Sequence, residues 1–147
     1  RTVEEPLDVL AALRSHAAAG DFIVIDCATL WVSNLLLVRI SDADVIAPEA
    51  THAVIDDVAA RAGALVEWST AFEGDVAVVS NEVGAGIVPP YPLGRVFRDA
   101  LGAANRIVAG GADRVYYLVA GLALELKSLG AATLDTFSET HDDPDHR

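Results

Sequence analysis

The chain has 147 residues, is 52% hydrophobic and carries a formal net charge of -12. That length suits one domain with a sizeable core, and the apolar content excludes a disordered chain. The acidity excludes a phosphate-backbone partner such as nucleic acid, which needs a basic face, and no apolar stretch reaches the ~20 residues of a membrane span. A lone cysteine, Cys27, rules out an internal disulfide, and no signal pattern opens the chain, so a cytoplasmic protein is expected. The sequence begins Arg1-Thr2-Val3-Glu4 without a methionine, close to a helical pattern, and reads as a processed chain or a piece of a longer one.

Leu7, Leu10, Ala11, Leu13 and Ala17 recur at helical spacing, with Pro6 suited to the first turn and Gly20 to the stop. Phe22-Ile23-Val24-Ile25-Asp26 is an apolar run without alternation, which predicts a strand buried on both faces in a parallel sheet. Trp31 to Arg39 predicts a short apolar helix or turn, and Ser41-Asp42-Ala43-Asp44 a surface loop. From Pro48 to Glu73 the pattern is one long helix, with Ala53, Val54, Val58, Ala62, Leu65, Val66 and Ser69 on a single face.

A second apolar strand, Asp75 to Ser80, leads into Asn81-Glu82-Val83-Gly84-Ala85-Gly86-Ile87-Val88-Pro89-Pro90. Gly84 and Gly86 allow a tight turn or a close approach, and Pro89, Pro90 and Pro92 stiffen the exit. A helix follows from about Leu93 to Ala109, with Val96, Phe97, Ala100, Leu101, Ala104, Ile107 and Val108 inward, and Gly110-Gly111 ends it. Arg114 to Ala120 predicts a third strand, and the alternation of Leu122, Leu124 and Leu126 with Ala123, Glu125 and Lys127 an antiparallel edge strand closing a hairpin. Thr133 to Phe137 is a further short strand candidate. Residues 1–137 then form one α/β domain, and residues 138–147 a flexible acidic tail.

In such a sheet, ligands bind at the carboxyl ends of the strands. Asp26 ends the first strand, where nucleotide-binding folds set a carboxylate near the magnesium of a triphosphate; a turn aspartate has the same local pattern. Asn81 and Glu82 stand at the equivalent end of the next strand. Glu4 and Glu5 precede Pro6 as acids suited to a helix start. Arg95 and Arg98 lie on one helix face, placed either to grip a phosphate or to pair with Asp99 and the acidic surface. Cys27 reads as a buried thiol in a strand, and His16 and His52 as surface residues. His141 and His146, among tail aspartates, read as solvated rather than as metal ligands. The sequence contains no G-x-x-x-x-G-K-[ST], G-x-S-x-G, C-x-x-C or H-E-x-x-H.

The run Asn81-Glu82-Val83-Gly84-Ala85-Gly86-Ile87-Val88-Pro89, then Arg95-Val96-Phe97-Arg98-Asp99 and Asn105, resembles the bifunctional adenosylcobinamide kinase / adenosylcobinamide-phosphate guanylyltransferase family of cobalamin biosynthesis. The resemblance extends over Asp26-Cys27-Ala28-Thr29-Leu30-Trp31-Val32-Ser33-Asn34-Leu35-Leu36, Arg1-Thr2-Val3-Glu4, and Gly121 to Lys127. It implies a P-loop, RecA-like α/β fold: a layered, mostly parallel sheet with helices on both faces and an antiparallel edge hairpin.

It also implies two linked reactions, phosphorylation of adenosylcobinamide by ATP or GTP, and transfer of GMP from GTP to the product through a guanylyl-histidine. By the resemblance Glu4 and Asp26 contact the nucleotide, Asp26 with its Mg2+, and Asn81 and Glu82 stand beside the phosphates. GTP or ATP and adenosylcobinamide are the implied small-molecule partners, and the family resemblance points to a homo-oligomer. The family's phosphate loop and guanylylated histidine lie upstream of the stretch matching Arg1, so the chain is expected to be N-terminally truncated and to contain no catalytic histidine of its own. Two rival readings stand beside this one: a non-catalytic remnant or scaffold of the same fold, and an unrelated metal-dependent α/β domain using Asp26 and Glu82.

Overall fold

Two five-residue strands, β1 (Phe22–Asp26) and β2 (Asp75–Val79), lie parallel in a computed structural model that describes residues 1–40 and 46–132. Their register runs from Phe22 opposite Asp75 to Asp26 opposite Val79, so both strands end at the same edge. The order of elements around them is α1 (Val9–His16), β1, α2 (Ala28–Arg39), α3 (Pro48–Ala71), β2 and α4 (Pro92–Gly111). A hairpin of β3 (Tyr116–Val119) and β4 (Leu122–Glu125) follows, then a 3-10 turn at Lys127–Leu129. The chain divides into two units, Arg1–Val108 and Ala109–Arg147.

In the first unit α1 starts where side chains satisfy its free amides, whereas α2 and α3 begin after Cys27 and Ala47 without a side-chain cap. At α1 the Asp8 carboxylate accepts from the Ala11 amide at 3.0 Å, and Glu5 Oε1 accepts from the Leu7 and Asp8 amides, both at 2.8 Å. Those bonds hold the Glu5 carboxyl below its ordinary value, the Asp8 amide contributing most. Pro48 opens α3, where its missing N–H costs nothing, and Pro92 is likewise the first residue of α4 instead of part of the loop before it. Asp57 on α3 meets Arg39 of α2 at 3.1 Å and Arg61 one turn on at 2.8 Å, tying the two helices on their wet side.

The core of this unit is Leu13 of α1, Ile25 of β1, Trp31, Val32, Leu35 and Leu36 of α2, Val54, Val58, Ala62 and Leu65 of α3, and Val96, Ala100, Leu101 and Ala104 of α4. On α3 and α4 these follow the expected inward faces except that Ala53 is exposed, lying beside the buried Val54 and outside the stripe of Val54, Val58, Ala62 and Leu65; on α1 Leu13 is buried but Ala11 is exposed. The expectation that β1 is buried on both faces fails. Burial alternates along it, with Ile23 and Ile25 inward while Phe22 and Val24 are 69% and 55% exposed. Side chains of a strand alternate between faces, and the described helices cover one face of this sheet only. Cys27 also stands outside the strand, as the half-buried residue that precedes α2.

In the second unit, Tyr116 pairs with Glu125 and Val119 with Leu122, joined by a two-residue turn in which Ala120 and Gly121 have φ of 50° and 78°. Positive φ at both central residues is the turn whose twist matches paired strands, and Gly121 takes it without the steric cost that Ala120 bears. The antiparallel hairpin is as expected, and among the described residues β3 pairs with β4. The short turn closes the strand on its sequence neighbour, which satisfies one edge of each strand locally. Glu125 accepts from the amides of Val115, Lys127 and Ser128, and Lys127 Nζ donates to the carbonyls of Gly110 and Ala112. The Ser41–Asp44 loop, the strand expected at 133–137 and the tail at 138–147 lie outside the described residues.

Candidate nucleotide site

Asp26 closes β1 on the same face as the exposed Phe22 and Val24, and its own side chain is exposed. Its register partner Val79 hands the chain directly to Ser80, Asn81 and Glu82, all exposed. The parallel pairing therefore brings Asp26 and the Asn81-Glu82 turn to one edge. Glu4 lies on a segment that α2 holds. Trp31 Nε1 donates to the Leu7 carbonyl at 3.0 Å, and Asn34 Nδ2 to the Pro6 carbonyl at 3.2 Å. Two side chains of α2 thus fix the backbone just after Glu4 and Glu5. Of that acidic pair, Glu5 is spent on the helix start, while the exposed Glu4 makes no such bond among the described residues.

The turn after β2 is held more closely than its exposure implies. Thr29, in the first turn of α2, accepts from the Asn81 amide at 3.0 Å and donates to Asn81 Oδ1 at 2.8 Å. Asn105 of α4 donates to the Asn81 carbonyl at 3.0 Å and accepts from Ser80 Oγ at 2.6 Å. Glu82 Oε1 accepts from the Gly84 amide at 2.5 Å. A Cβ on Gly84 would sit 2.7 Å from that oxygen, so this glycine serves close approach; neither Gly84 nor Gly86 adopts a positive φ.

Further along, Arg95 Nη1 donates to the carbonyls of Pro89 and Pro90 at 3.1 and 2.9 Å, fixing the proline-rich stretch. Gly94 is buried beneath it, where a Cβ would lie 2.8 Å from Pro89 Cβ and 2.4 Å from the Tyr91 ring. Arg98 meets Asp99 at 3.5 Å. Arg98 thus takes the second of the two roles expected, pairing with Asp99, while Arg95 does neither and holds backbone carbonyls instead. His16 and His52 are exposed on their helices as expected, and His141 and His146 fall outside the described residues.

Sequence reasoning missed Thr29, Trp31 and Asn34 as individual holders of the site, and had Asn105 only as part of a motif. The available signal was polar side chains on otherwise apolar helices. Trp31 and Asn34, three apart on α2, are such residues.

No cluster of three His, Cys, Asp or Glu side chains able to hold a metal occurs among the described residues. A magnesium ion keeps most of its ligands as water and phosphate oxygens and takes one or two carboxylates from protein. Asp26, a single exposed carboxylate at a strand end, fits that demand.

Parallel strands, covering helices and polar groups converging at the strands' carboxyl ends define an α/β protein whose ligand edge lies there. Over residues 1–126 the chain matches the family described as cobinamide kinase / cobinamide phosphate guanyltransferase, and it belongs to that family. It is 38% identical over 130 residues to the bifunctional adenosylcobalamin biosynthesis protein CobP of Pseudomonas aeruginosa, covering 86% of this chain and 65% of that protein. It is 35% identical over 126 residues to CobU of Salmonella typhimurium, a protein of the same description, covering 82% and 65%. With CobU of Escherichia coli the identity is 30% over 129 residues, covering 86% and 70%. The chain thus spans about two thirds of the length of these relatives. Membership of the family overturns the reading of an unrelated metal-dependent domain.

Proposed function

We propose that this chain forms the acidic side of the nucleotide site in an adenosylcobinamide kinase / adenosylcobinamide-phosphate guanylyltransferase, on a P-loop, RecA-like fold. The observation that carries the reading is the convergence of Asp26 with the Asn81-Glu82 turn at the end of two parallel strands, in a chain of this family. The chemistry is phosphoryl transfer from ATP or GTP to the hydroxyl of the substrate's aminopropanol arm, releasing the nucleoside diphosphate. GMP transfer follows: a histidine displaces pyrophosphate from GTP, and the substrate phosphate then displaces the histidine. Both steps use a triphosphate, so one nucleotide edge serves both.

Electrostatics set how this edge takes its ligand. A carboxylate and a phosphate oxygen about 5 Å apart in water repel by roughly 1 kcal/mol per pair of unit charges. Asp26 and Glu82 therefore favour a triphosphate only with a cation between them. Mg2+ bound with the nucleotide supplies that neutralisation, with Asp26 as its protein ligand. Asn81 and Glu82 flank the phosphates, and Glu4 contacts the nucleotide from the segment that Trp31 and Asn34 hold. The cation and backbone cradle for the phosphates would come from the upstream family segment, since Arg95 is engaged by the proline carbonyls and Arg98 by Asp99. No described helix is long and apolar enough to cross a membrane, and we place the enzyme in the cytoplasm. The exposed Phe22, Val24 and Val79 support self-association.

The test is calorimetric titration of Mg2+·GTP into this chain, into a longer chain carrying the family's upstream segment, and into Asp26→Asn of each. Binding by the longer chain that falls at least about tenfold in Asp26→Asn is expected, one ligand to the ion being lost. Equal affinity with and without the Asp26 carboxylate refutes its assignment. Binding by neither chain refutes the nucleotide reading and favours a scaffold.

A further inference from the structure

The bonds around Asn81 reach beyond ordinary turn chemistry. Its amide and its side-chain oxygen both go to one hydroxyl, Thr29 Oγ1, and its carbonyl goes to Asn105 Nδ2. Thr29 lies 52 positions before Asn81, on α2, and Asn105 lies 24 positions after it, on α4. The two partners approach from different helices, and Asn105 holds Ser80 Oγ as well. Bonds to N–H, C=O and side chain together fix the peptide planes on both sides of one residue. A turn that only had to reverse the chain would not need anchors on two distant helices. The residue fixed here is the one before Glu82.

We propose that Thr29 and Asn105 form a two-sided clamp, positioning residues that orient the Asn81-Glu82 turn toward the strand edge and thereby set where Glu82 meets the nucleotide phosphates. The structural half stands on the hydrogen bonds alone, while the functional half rests on the nucleotide reading above. The clamp also gives α2 and α4 a common point at the site. A displacement of either helix at the edge is carried to Asn81 through a hydrogen bond.

The experiment compares Thr29→Val, which keeps shape and removes the hydroxyl, with Thr29→Ser, which restores it, and with Asn105→Leu. Amide hydrogen exchange of residues 80–86 and the affinity for Mg2+·GTP are measured on each. One hydrogen bond of typical net strength corresponds to about a fivefold change. Exchange at the Asn81 amide is expected to rise at least about fivefold in Thr29→Val and to stay near wild type in Thr29→Ser. Asn105→Leu is expected to raise exchange in the same segment, with melting still cooperative. Unchanged exchange in both Thr29→Val and Asn105→Leu overturns the clamp.

Weaker Mg2+·GTP binding in Thr29→Val, rescued in Thr29→Ser, is the result expected for positioning. Wild-type affinity in spite of a loosened turn overturns the functional half and leaves a purely structural device. Absence of binding by the wild-type sequence, both in this chain and in the longer chain carrying the family's upstream segment, overturns the nucleotide reading and the functional half with it, while exchange still decides the clamp.

Discussion

Replacing Trp31 with phenylalanine tests how the segment carrying Glu4 is held. Trp31 is 6% exposed, belongs to the core of the first unit, and donates its indole N–H to the Leu7 carbonyl at 3.0 Å. Phenylalanine keeps an aromatic body but loses the donor, which contributes about 1 kcal/mol net. It also leaves about 40 Å³ unfilled, and at about 24 cal/mol per Å³ that adds roughly 1 kcal/mol. The sum, about 2 kcal/mol, corresponds to a fall of roughly 4–8 °C in Tm for a chain of this size.

The assay is thermal unfolding by circular dichroism, combined with hydrogen exchange across residues 1–8. The exchange profile separates a local release of that segment from general loosening. Asn34→Leu removes the second donor, to Pro6, and provides a coupling test. Because both bonds hold one segment, the double variant is expected to lose less than the sum of the single losses. A Tm within about 1 °C of wild type, with residues 1–8 equally protected, would refute the idea that α2 anchors the Glu4 segment.

Two further predictions follow from the same geometry. The Glu5 carboxyl, bonded by the amides of Asp8 and Leu7, is expected to titrate below an ordinary glutamate in a carboxyl NMR titration. Because its folded value is the lower one, its support for α1 is complete above the ordinary glutamate range and is lost as pH falls through the depressed value; an ordinary midpoint contradicts this. Gly94→Ala would place a methyl 2.8 Å from Pro89 Cβ, and the Tyr91 ring can swing aside more easily than the proline-rich backbone. A loss of about 1–3 kcal/mol in denaturant unfolding is expected, and unchanged stability would show that the stretch above Gly94 yields freely.

Helix periodicity made α1, α3 and α4 legible, since the residues that bury one face recur on a single stretch of chain. β1 and β2 were legible as short apolar runs, and the hairpin from the alternation of Leu122 and Leu124 with Ala123 and Glu125. The strand-end acid Asp26 was legible too, because a carboxylate after an apolar run marks a strand end by itself, and the Asn81 to Pro89 run carried the family. All of these are local signals.

The tertiary structure decided everything that depends on which elements meet. It settled that one face of β1 is covered and the other open, although five apolar and acidic residues in a row look alike from the sequence. It paired β3 with β4 across a two-residue turn. It spent Glu5 on a helix start and Arg95 on two proline carbonyls, leaving Glu4 and Asp26 without such partners among the described residues. Asn81 is joined to Thr29 and Asn105 for the same reason. A hydrogen bond needs a donor and an acceptor within about 3 Å, and for residues 52 positions apart that distance is fixed by helix packing, which no local pattern encodes.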